Sequence, residues 1–214
     1  MLSFLPILGA ALFWGGVFTL FAEQIDALLV GWMSRVPLVD TEWAVDVVEL
    51  LGGLVVFYQL MIATAVMIVG LIADGVVDRV NARRYQLSKT GFGTLSGSLW
   101  TSLKSNALFI LLFILLLPLV FVPLLNIVVQ LWLWMLLIKK PLFYDSVAMY
   151  ASREEYAQLL GAPRWPNFLV TLAAASLFLI PLIGVFVYLL QLLFFANYNL
   201  ERLQHRRQGV PSAP

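Results

Sequence analysis

The feature that most constrains this chain is a run of 32 residues, 107–138, that contains no charged side chain. A helix needs about 20 apolar residues to cross the hydrocarbon core of a bilayer. The run is therefore too long for one ordinary crossing and too short for two complete crossings with a turn. Pro118, Pro123 and Asn126 interrupt it near its middle, where they would break a helix.

Three further blocks, 2–22, 50–73 and 168–196, also lack charged residues. The first two fit single spanning helices, and we expect 2–22 to be retained because no basic segment precedes it, as one would in a signal peptide. Hydrophobic residues make up 62% of the chain and charged residues 12%, against about 45–50% and 25% in soluble domains. The bilayer is therefore the expected solvent, and residues 1–214 form one membrane domain.

The charges between the blocks are segregated and predict a topology. Segment 23–49 carries six acids and one base, whereas 74–106 carries five bases and two acids. Bases also outnumber acids in 139–167 and in the tail, 200–214. Lys and Arg accumulate in cytoplasmic loops. Segment 23–49 is thus expected outside, and both termini in the cytoplasm, as for a multi-pass protein of the bacterial inner membrane.

With this topology, blocks 107–138 and 168–196 begin and end on the same side of the membrane. Arms of about 13–15 residues rise about 20 Å, which is short of the roughly 30 Å core. The sequence therefore predicts an all-α integral membrane fold with two long transmembrane helices plus two re-entrant, half-penetrating helical hairpins. The predicted turn residues are Pro118, Pro123 and Asn126 in the first hairpin, and Pro181 and Gly184 in the second.

The two predicted turns are similar to each other. Residues 123–126, PLLN, parallel residues 181–184, PLIG, and each turn is followed by a glutamine, Gln130 or Gln191. This is a weak internal repeat, and chance similarity between leucine-rich segments is the alternative. Non-helical backbone at this depth cannot face lipid, because unpaired amides there cost several kcal/mol. The turns must be buried in protein or line a cavity, and we expect a homo-oligomer.

Polar residues inside the apolar blocks have two interpretations. They can join helices, at about 0.6–2 kcal/mol each, or they can line a pathway. Asn126 is the strongest pathway candidate, because it begins a descending half-helix and can cap the free amides there. Such N-termini carry partial positive charge and suit anions. The predicted substrate pathway consists of Asn126, Gln130, Gly184, Gln191 and Asn197.

Four bases lie just inside the predicted membrane boundary: Arg83, Arg84, Lys139 and Lys140. They can bind anionic lipid headgroups and so fix the topology. They can also collect anions at the mouth of a pore. The sequence leaves both interpretations open.

Enzyme signatures are almost absent. The chain has no cysteine, and its one histidine, His205, lies in the basic tail. Asp74 and Asp78 share a helix face, where a solvated or salt-bridged surface is a simpler interpretation than acid–base chemistry. We predict no enzyme, and hence no catalytic residue, no metal site and no cofactor. A net charge of +1 gives no reason to expect a nucleic-acid partner.

Three segments resemble a known family: 70–80 (GLIADGVVDRV), 117–126 (LPLVFVPLLN) and 179–184 (LIPLIG). They are similar to motifs of the CysZ-type sulfate permeases, which are grouped with the etoposide-induced membrane protein superfamily. The resemblance implies two long transmembrane helices with two half-penetrating hairpins, an architecture that the charge pattern also predicts. It further implies sulfate as the substrate.

The chain departs from that family at two points. Leu71 and Ile72 replace a Pro-Phe pair, and the Gly-Leu-Arg motif associated with sulfate binding does not occur. No residue is therefore assigned to that motif's site. The expected function is passive or gated permeation of a small inorganic anion, with lipid and a sulfate-like ion as partners. The alternative is a non-transporting membrane scaffold, an assembly factor or a lipid-homeostasis protein.

Overall fold

A computed structural model describes residues 5–20, 23–24, 27, 31, 42–120, 122–161, 164–180 and 184–209. The helices are α1 (Leu5–Leu20), α2 (Glu42–Arg84), α3 (Leu95–Val120), α4 (Pro123–Val147), α5 (Arg153–Gly161), α6 (Arg164–Ser176) with a 3-10 turn (Leu177–Leu179), and α7 (Gly184–Arg207). Every regular element in these ranges is helical, which confirms the predicted all-α class.

Helix α2 is the longest element, with 43 residues. At 1.5 Å per residue it extends about 65 Å, so it can cross a bilayer and continue beyond it. The Asn81 side chain stops it: its amide donates to the Leu87 carbonyl and accepts from the Leu87 N–H, both at 2.9 Å. Gln86 takes a positive φ of 53° in this turn. Helix α2 therefore ends at Arg84, beyond the apolar block 50–73.

Three helical segments are long and apolar enough to cross a membrane: Gly52–Arg84, Leu95–Leu117 and Leu124–Val147. The last two are the arms of the first predicted hairpin. Helices α3 and α4 have 26 and 25 residues, so both arms are longer than the 13–15 expected from the apolar run. The helices continue through Lys104 and through Lys139 and Lys140, because charged residues end an apolar run but do not end a helix.

The second predicted hairpin has arms of unequal length. Its first arm, the apolar helical stretch Trp165–Leu179, is shorter than a complete membrane crossing. Its second arm is α7, which begins at Gly184 and runs 24 residues to Arg207. The first part of the predicted basic tail is therefore helical. Pro181, the other predicted turn residue, lies outside the described residues.

Helix α4 is the centre of the packing, with contacts to α2, α3, α6 and α7. One face of α3, which carries Phe109, Phe113 and Leu117, is buried in the core. The opposite face carries Leu111 and Leu115, which are 64% and 63% exposed. A helix with two apolar faces, one of them uncovered, is typical of a helix that packs on protein and faces lipid.

The loop before α3 touches the end of α4 backbone to backbone. The Gly91 N–H donates to the Met149 carbonyl at 2.9 Å, and the Gly93 N–H donates to the Ala148 carbonyl at 2.8 Å. A Cβ on Gly91 would lie 2.2 Å from the Ala148 oxygen, and one on Gly93 would lie 2.6 Å from the Ala148 carbonyl carbon. Only glycine allows this approach, which fixes the C-terminal end of α4.

Candidate functional site

An open groove of about 470 Å³ lies beside the α3–α4 hairpin. Three lysines line it: Lys104 from α3, and Lys139 and Lys140 from α4. Its other polar and aromatic walls include Phe92, Trp100, Thr101, Ser105, Tyr144 and Tyr156. We call this the basic groove. No acidic side chain is among its lining residues, so its potential is positive and favours an anion.

The antiparallel hairpin explains why these lysines meet. Lys104 comes before the apolar part of α3, and Lys139 and Lys140 follow that of α4, at nearly equal distances along the chain from the turn. The Lys104 ammonium lies 4.8 Å from the centroid of the Trp100 ring, a cation–π contact. Sequence reasoning selected Lys139 and Lys140 but missed Lys104. Pairing the two arms about the predicted turn would have found it.

An aromatic wall closes one side of the basic groove. The ring centroids of Phe92 and Tyr156 are 5.3 Å apart, and those of Phe92 and Tyr144 are 5.8 Å apart. The Arg153 guanidinium lies 5.3 Å from the Phe92 centroid. Burial raises the pKa of Tyr156 to about 12, with smaller effects of Tyr144 and Asp145. Tyr156 therefore stays a neutral hydroxyl, which can donate to an anion.

The other two predicted bases lie elsewhere. Arg83 and Arg84 are exposed at the end of α2 and are not among the groove residues. The Arg84 guanidinium donates to the Asn197 side-chain oxygen at 3.3 Å, and the Tyr85 hydroxyl donates to the same oxygen at 3.2 Å. The four bases thus divide into two groups, and only the lysine pair lies in the basic groove.

Two predicted pathway residues are helix–helix contacts. Gln130 is buried, and its side-chain oxygen accepts from the Gln59 amide of α2 at 2.5 Å. The Gln59 oxygen in turn accepts from the Trp134 indole at 2.8 Å. We call these three residues the glutamine cluster. Gln191 is also buried and donates to the Ala174 carbonyl at 2.7 Å, which joins α7 to α6.

The remaining pathway residues lie on α4 and α7. Asn126 is half-buried in the first turn of α4, but the N-cap of that helix is Val122, with no side-chain capping bond. The expected capping role of Asn126 is wrong, because the helix already begins at Pro123. Asn197, in α7, is half-buried and its side-chain oxygen accepts from Arg84 and Tyr85 at the end of α2, whereas Gly184 is the first residue of α7.

A second buried polar group lies between α3 and α4 and was missed from the sequence. Asp145, in the last turn of α4, is 5% exposed, and its Oδ1 accepts from the Ser98 hydroxyl at 2.5 Å. Ser102 and Asn106 follow on the same face of α3 and are also buried. We call these four residues the serine–aspartate cluster. The sequence feature that could have indicated this cluster is a single acid, Asp145, in the helical stretch that follows the basic pair Lys139–Lys140.

Asp78 has the salt-bridged environment that the sequence favoured. Its carboxylate accepts from the Lys89 ammonium and from the Tyr150 hydroxyl. Asp74, one turn earlier, is half-buried. No group of three or more His, Cys, Asp or Glu side chains suited to a metal ion occurs within the described ranges.

Long apolar helices with exposed apolar faces define a helical membrane protein. The chain belongs to the family described as "Sulfate transporter CysZ/Etoposide-induced protein 2.4", whose family model matches residues 1–188. This confirms the resemblance noted from the sequence. No curated protein and no solved structure gives a significant match.

Proposed function

We propose that the protein is a permease or channel for a small inorganic anion of the sulfate type, which it passes by passive or gated permeation. The observation that carries this proposal is the basic groove, where Lys104, Lys139 and Lys140 face an opening with no acidic lining residue. Amines and hydroxyls are the donors that a tetrahedral oxyanion accepts. Membership of a family with sulfate transporters supports the same substrate class.

The groove suits collection and release better than tight binding. Lys139 and Lys140 are exposed, so their charges remain hydrated. An exposed lysine attracts an anion with modest energy, and conduction requires that the ion leaves as readily as it enters. We therefore assign the groove to the cytoplasmic mouth of the pathway rather than to its selective part.

The proposal includes half-penetrating hairpins and a homo-oligomer in the bacterial inner membrane, with cytoplasmic termini. At the turn of the first hairpin, Leu124 is 84% exposed and Leu125 is 45% exposed. Lipid or a second copy of the chain must cover these side chains. Single cysteines at Thr90 and Ser152, both exposed, should react with an impermeant thiol reagent from the same side of the membrane. Reaction from opposite sides would contradict the hairpin.

The decisive experiment is the flux of labelled sulfate into proteoliposomes. At low sulfate and low salt, we expect the triple variant of Lys104, Lys139 and Lys140 to glutamine to lower the flux about tenfold. High salt should reduce this difference, because it screens the lysine charges. Two single variants give a matched control. Lys139→Gln should lower the flux and Arg79→Gln should not, since Arg79 is an exposed base outside the groove.

A non-transporting scaffold or lipid-homeostasis protein is the second candidate. Gln130 and Gln191 favour it, since both are buried and bonded between helices. If sulfate, sulfite, thiosulfate and chloride all fail to move at a high protein load, transport is excluded. The basic groove would then bind lipid phosphates. The triple lysine variant should lose binding to anionic vesicles, while neither the variant nor the parent shows flux.

A further inference from the structure

The serine–aspartate cluster has more oxygen atoms than its hydrogen bonds use. Asp145 is 5% exposed, Asn106 is 4% exposed and Ser102 is fully buried. The Asp145 Oδ2, the Ser102 Oγ and the Asn106 Oδ1 have no hydrogen-bond partner in the described part of the chain. Buried polar atoms are paired in the great majority of cases, so three unpaired oxygens in one cluster require an explanation.

Three oxygens of this cluster converge on the face of Gly70 in α2. A Cβ on Gly70 would lie 3.2 Å from the Ser98 Oγ, 3.6 Å from the Asp145 Oδ2 and 3.7 Å from the Ser102 Oγ. Because glycine has no side chain, the oxygens border a small volume between α2, α3 and α4. Gly75, in the same helix, has no atom within 4 Å of its own Cβ position.

The surroundings of Asp145 are electrostatically negative. It lies in the last turn of α4, where the helix dipole is negative, and the Asp74 carboxylate adds repulsion. The ion pairs among the described residues are Lys89–Asp78 and Arg207–Glu155, and neither includes Asp145. A buried carboxylate without a compensating charge is strongly destabilising. The position therefore favours a bound positive charge.

We propose that Gly70 and the serine–aspartate cluster form a binding site for one monovalent cation of sodium size. Asp145 supplies the negative charge, and the hydroxyl oxygens of Ser98 and Ser102 complete the near ligands. Hard oxygen donors suit a hard cation, and a single carboxylate with hydroxyls matches one positive charge rather than two. Because the volume beside Gly70 is small enough for an added methyl group to contact three of these oxygens, the site should prefer sodium to the larger potassium ion.

The test is thermal unfolding of the purified full chain in detergent, at constant ionic strength and pH. Sodium chloride is compared with potassium chloride and choline chloride. A ligand that binds only the folded state raises the Tm, so at sodium concentrations far above the Kd we expect a saturable rise of about 5 °C. Direct binding of ²²Na⁺ should saturate over the same concentration range.

Two variants locate the effect. Asp145→Asn should abolish the sodium-dependent rise in Tm and the binding of ²²Na⁺. Gly70→Ala retains every charge but fills the volume between the oxygens, and it should raise the Kd for sodium at least about tenfold. Gly75→Ala adds the same methyl group in open space and should leave the Kd unchanged. If Asp145→Asn does not fold, the two glycine variants decide.

Three results would overturn the site. The first is one Tm in sodium, potassium and choline. The second is a sodium effect that survives in both Gly70→Ala and Asp145→Asn. The third, seen when the same comparison is repeated at several pH values, is a stability that depends on pH but not on the identity of the cation, which would assign the positive charge to a proton on Asp145. None of these readouts requires transport, so the site stands or fails separately from the permease proposal.

Discussion

The glutamine cluster and the serine–aspartate cluster are both buried against α4, but they differ in how their polar atoms are paired. Gln59 donates to Gln130 and accepts from Trp134, and these two hydrogen bonds join α2 to α4 with no ligand required. In the other cluster, Asp145 accepts one hydrogen bond and keeps one oxygen unpaired. Similar burial therefore has two different consequences: one cluster joins helices, and the other has unused capacity for a ligand.

The chemistry of the side chains explains this difference. An amide carries both donors and acceptors, so two glutamines and an indole can satisfy one another. An ionised carboxylate only accepts, and the two serines offer few donors to it. The excess of acceptors around Asp145 attracts a cation, whereas the balance around Gln59 attracts nothing further.

The largest expected effect tests the loop that supports the serine–aspartate cluster. Gly93→Ala would place a Cβ 2.6 Å from the Ala148 carbonyl carbon and so displace the end of α4 that carries Asp145. We expect a loss of about 3 kcal/mol in the free energy of unfolding, measured by denaturant titration in detergent. Gly75→Ala is the control and should not destabilise. A loss below about 1 kcal/mol would show that the loop can shift away.

The next effect tests the glutamine cluster. Gln130→Leu removes the acceptor of the buried Gln59 amide, and an unpaired buried donor costs about 2 kcal/mol. The same denaturant titration measures it. Asn126→Leu, which replaces a half-buried amide on the same helix, should change the free energy of unfolding by less than about 0.5 kcal/mol. Equal losses in the two variants would contradict a structural role specific to Gln130.

The charge-free runs and the prolines predicted much of this fold. The predicted turn does lie between α3 and α4, and Pro123 is the first residue of α4, but Pro118 lies inside α3 and Asn126 lies past the start of α4. The lengths of α3 and α4 were underestimated, since Lys104 and Lys139 end the apolar run while the helices continue. A hydropathy pattern indicates which residues lie in the membrane, whereas the length of a helix depends on its backbone hydrogen bonds.

The serine–aspartate cluster could not be predicted in the same way. Gly70, Ser98 and Asp145 lie on three helices, and no spacing along the chain indicates that they meet. Each of them also has an ordinary local interpretation, as a helix glycine, a helix serine and a solvated acid. Only the packing of α2 on α3 and α4 brings the three together, so the site depends on tertiary structure.

A third prediction uses an acid with the opposite environment to that of Asp145. Glu155 forms an ion pair with Arg207, and hydrogen bonds from Arg207 and from the Ser152 N–H lower its pKa from 4.5 to about 2. A lowered pKa means that the pair stabilises the fold at neutral pH and loses this effect as the pH falls from about 4.5 to 2. Glu155→Gln should therefore destabilise at pH 7, by less than about 1 kcal/mol for so exposed a pair. The difference between variant and parent should vanish near pH 2, and a constant difference would contradict the ion pair.

The last comparison is between two serines one helical turn apart, in choline buffer without sodium. Ser98→Ala removes the hydroxyl that donates to Asp145 and should cost about 1 kcal/mol. Ser102→Ala removes a buried hydroxyl that has no partner, so the free energy of unfolding should change by less than about 0.5 kcal/mol. In sodium, Ser102→Ala should be less stable than the parent, because only the parent keeps the complete set of ligands. If Ser102→Ala matches the parent in sodium as well, Ser102 is no ligand, and the cation site would have to rest on Ser98 and Asp145 alone.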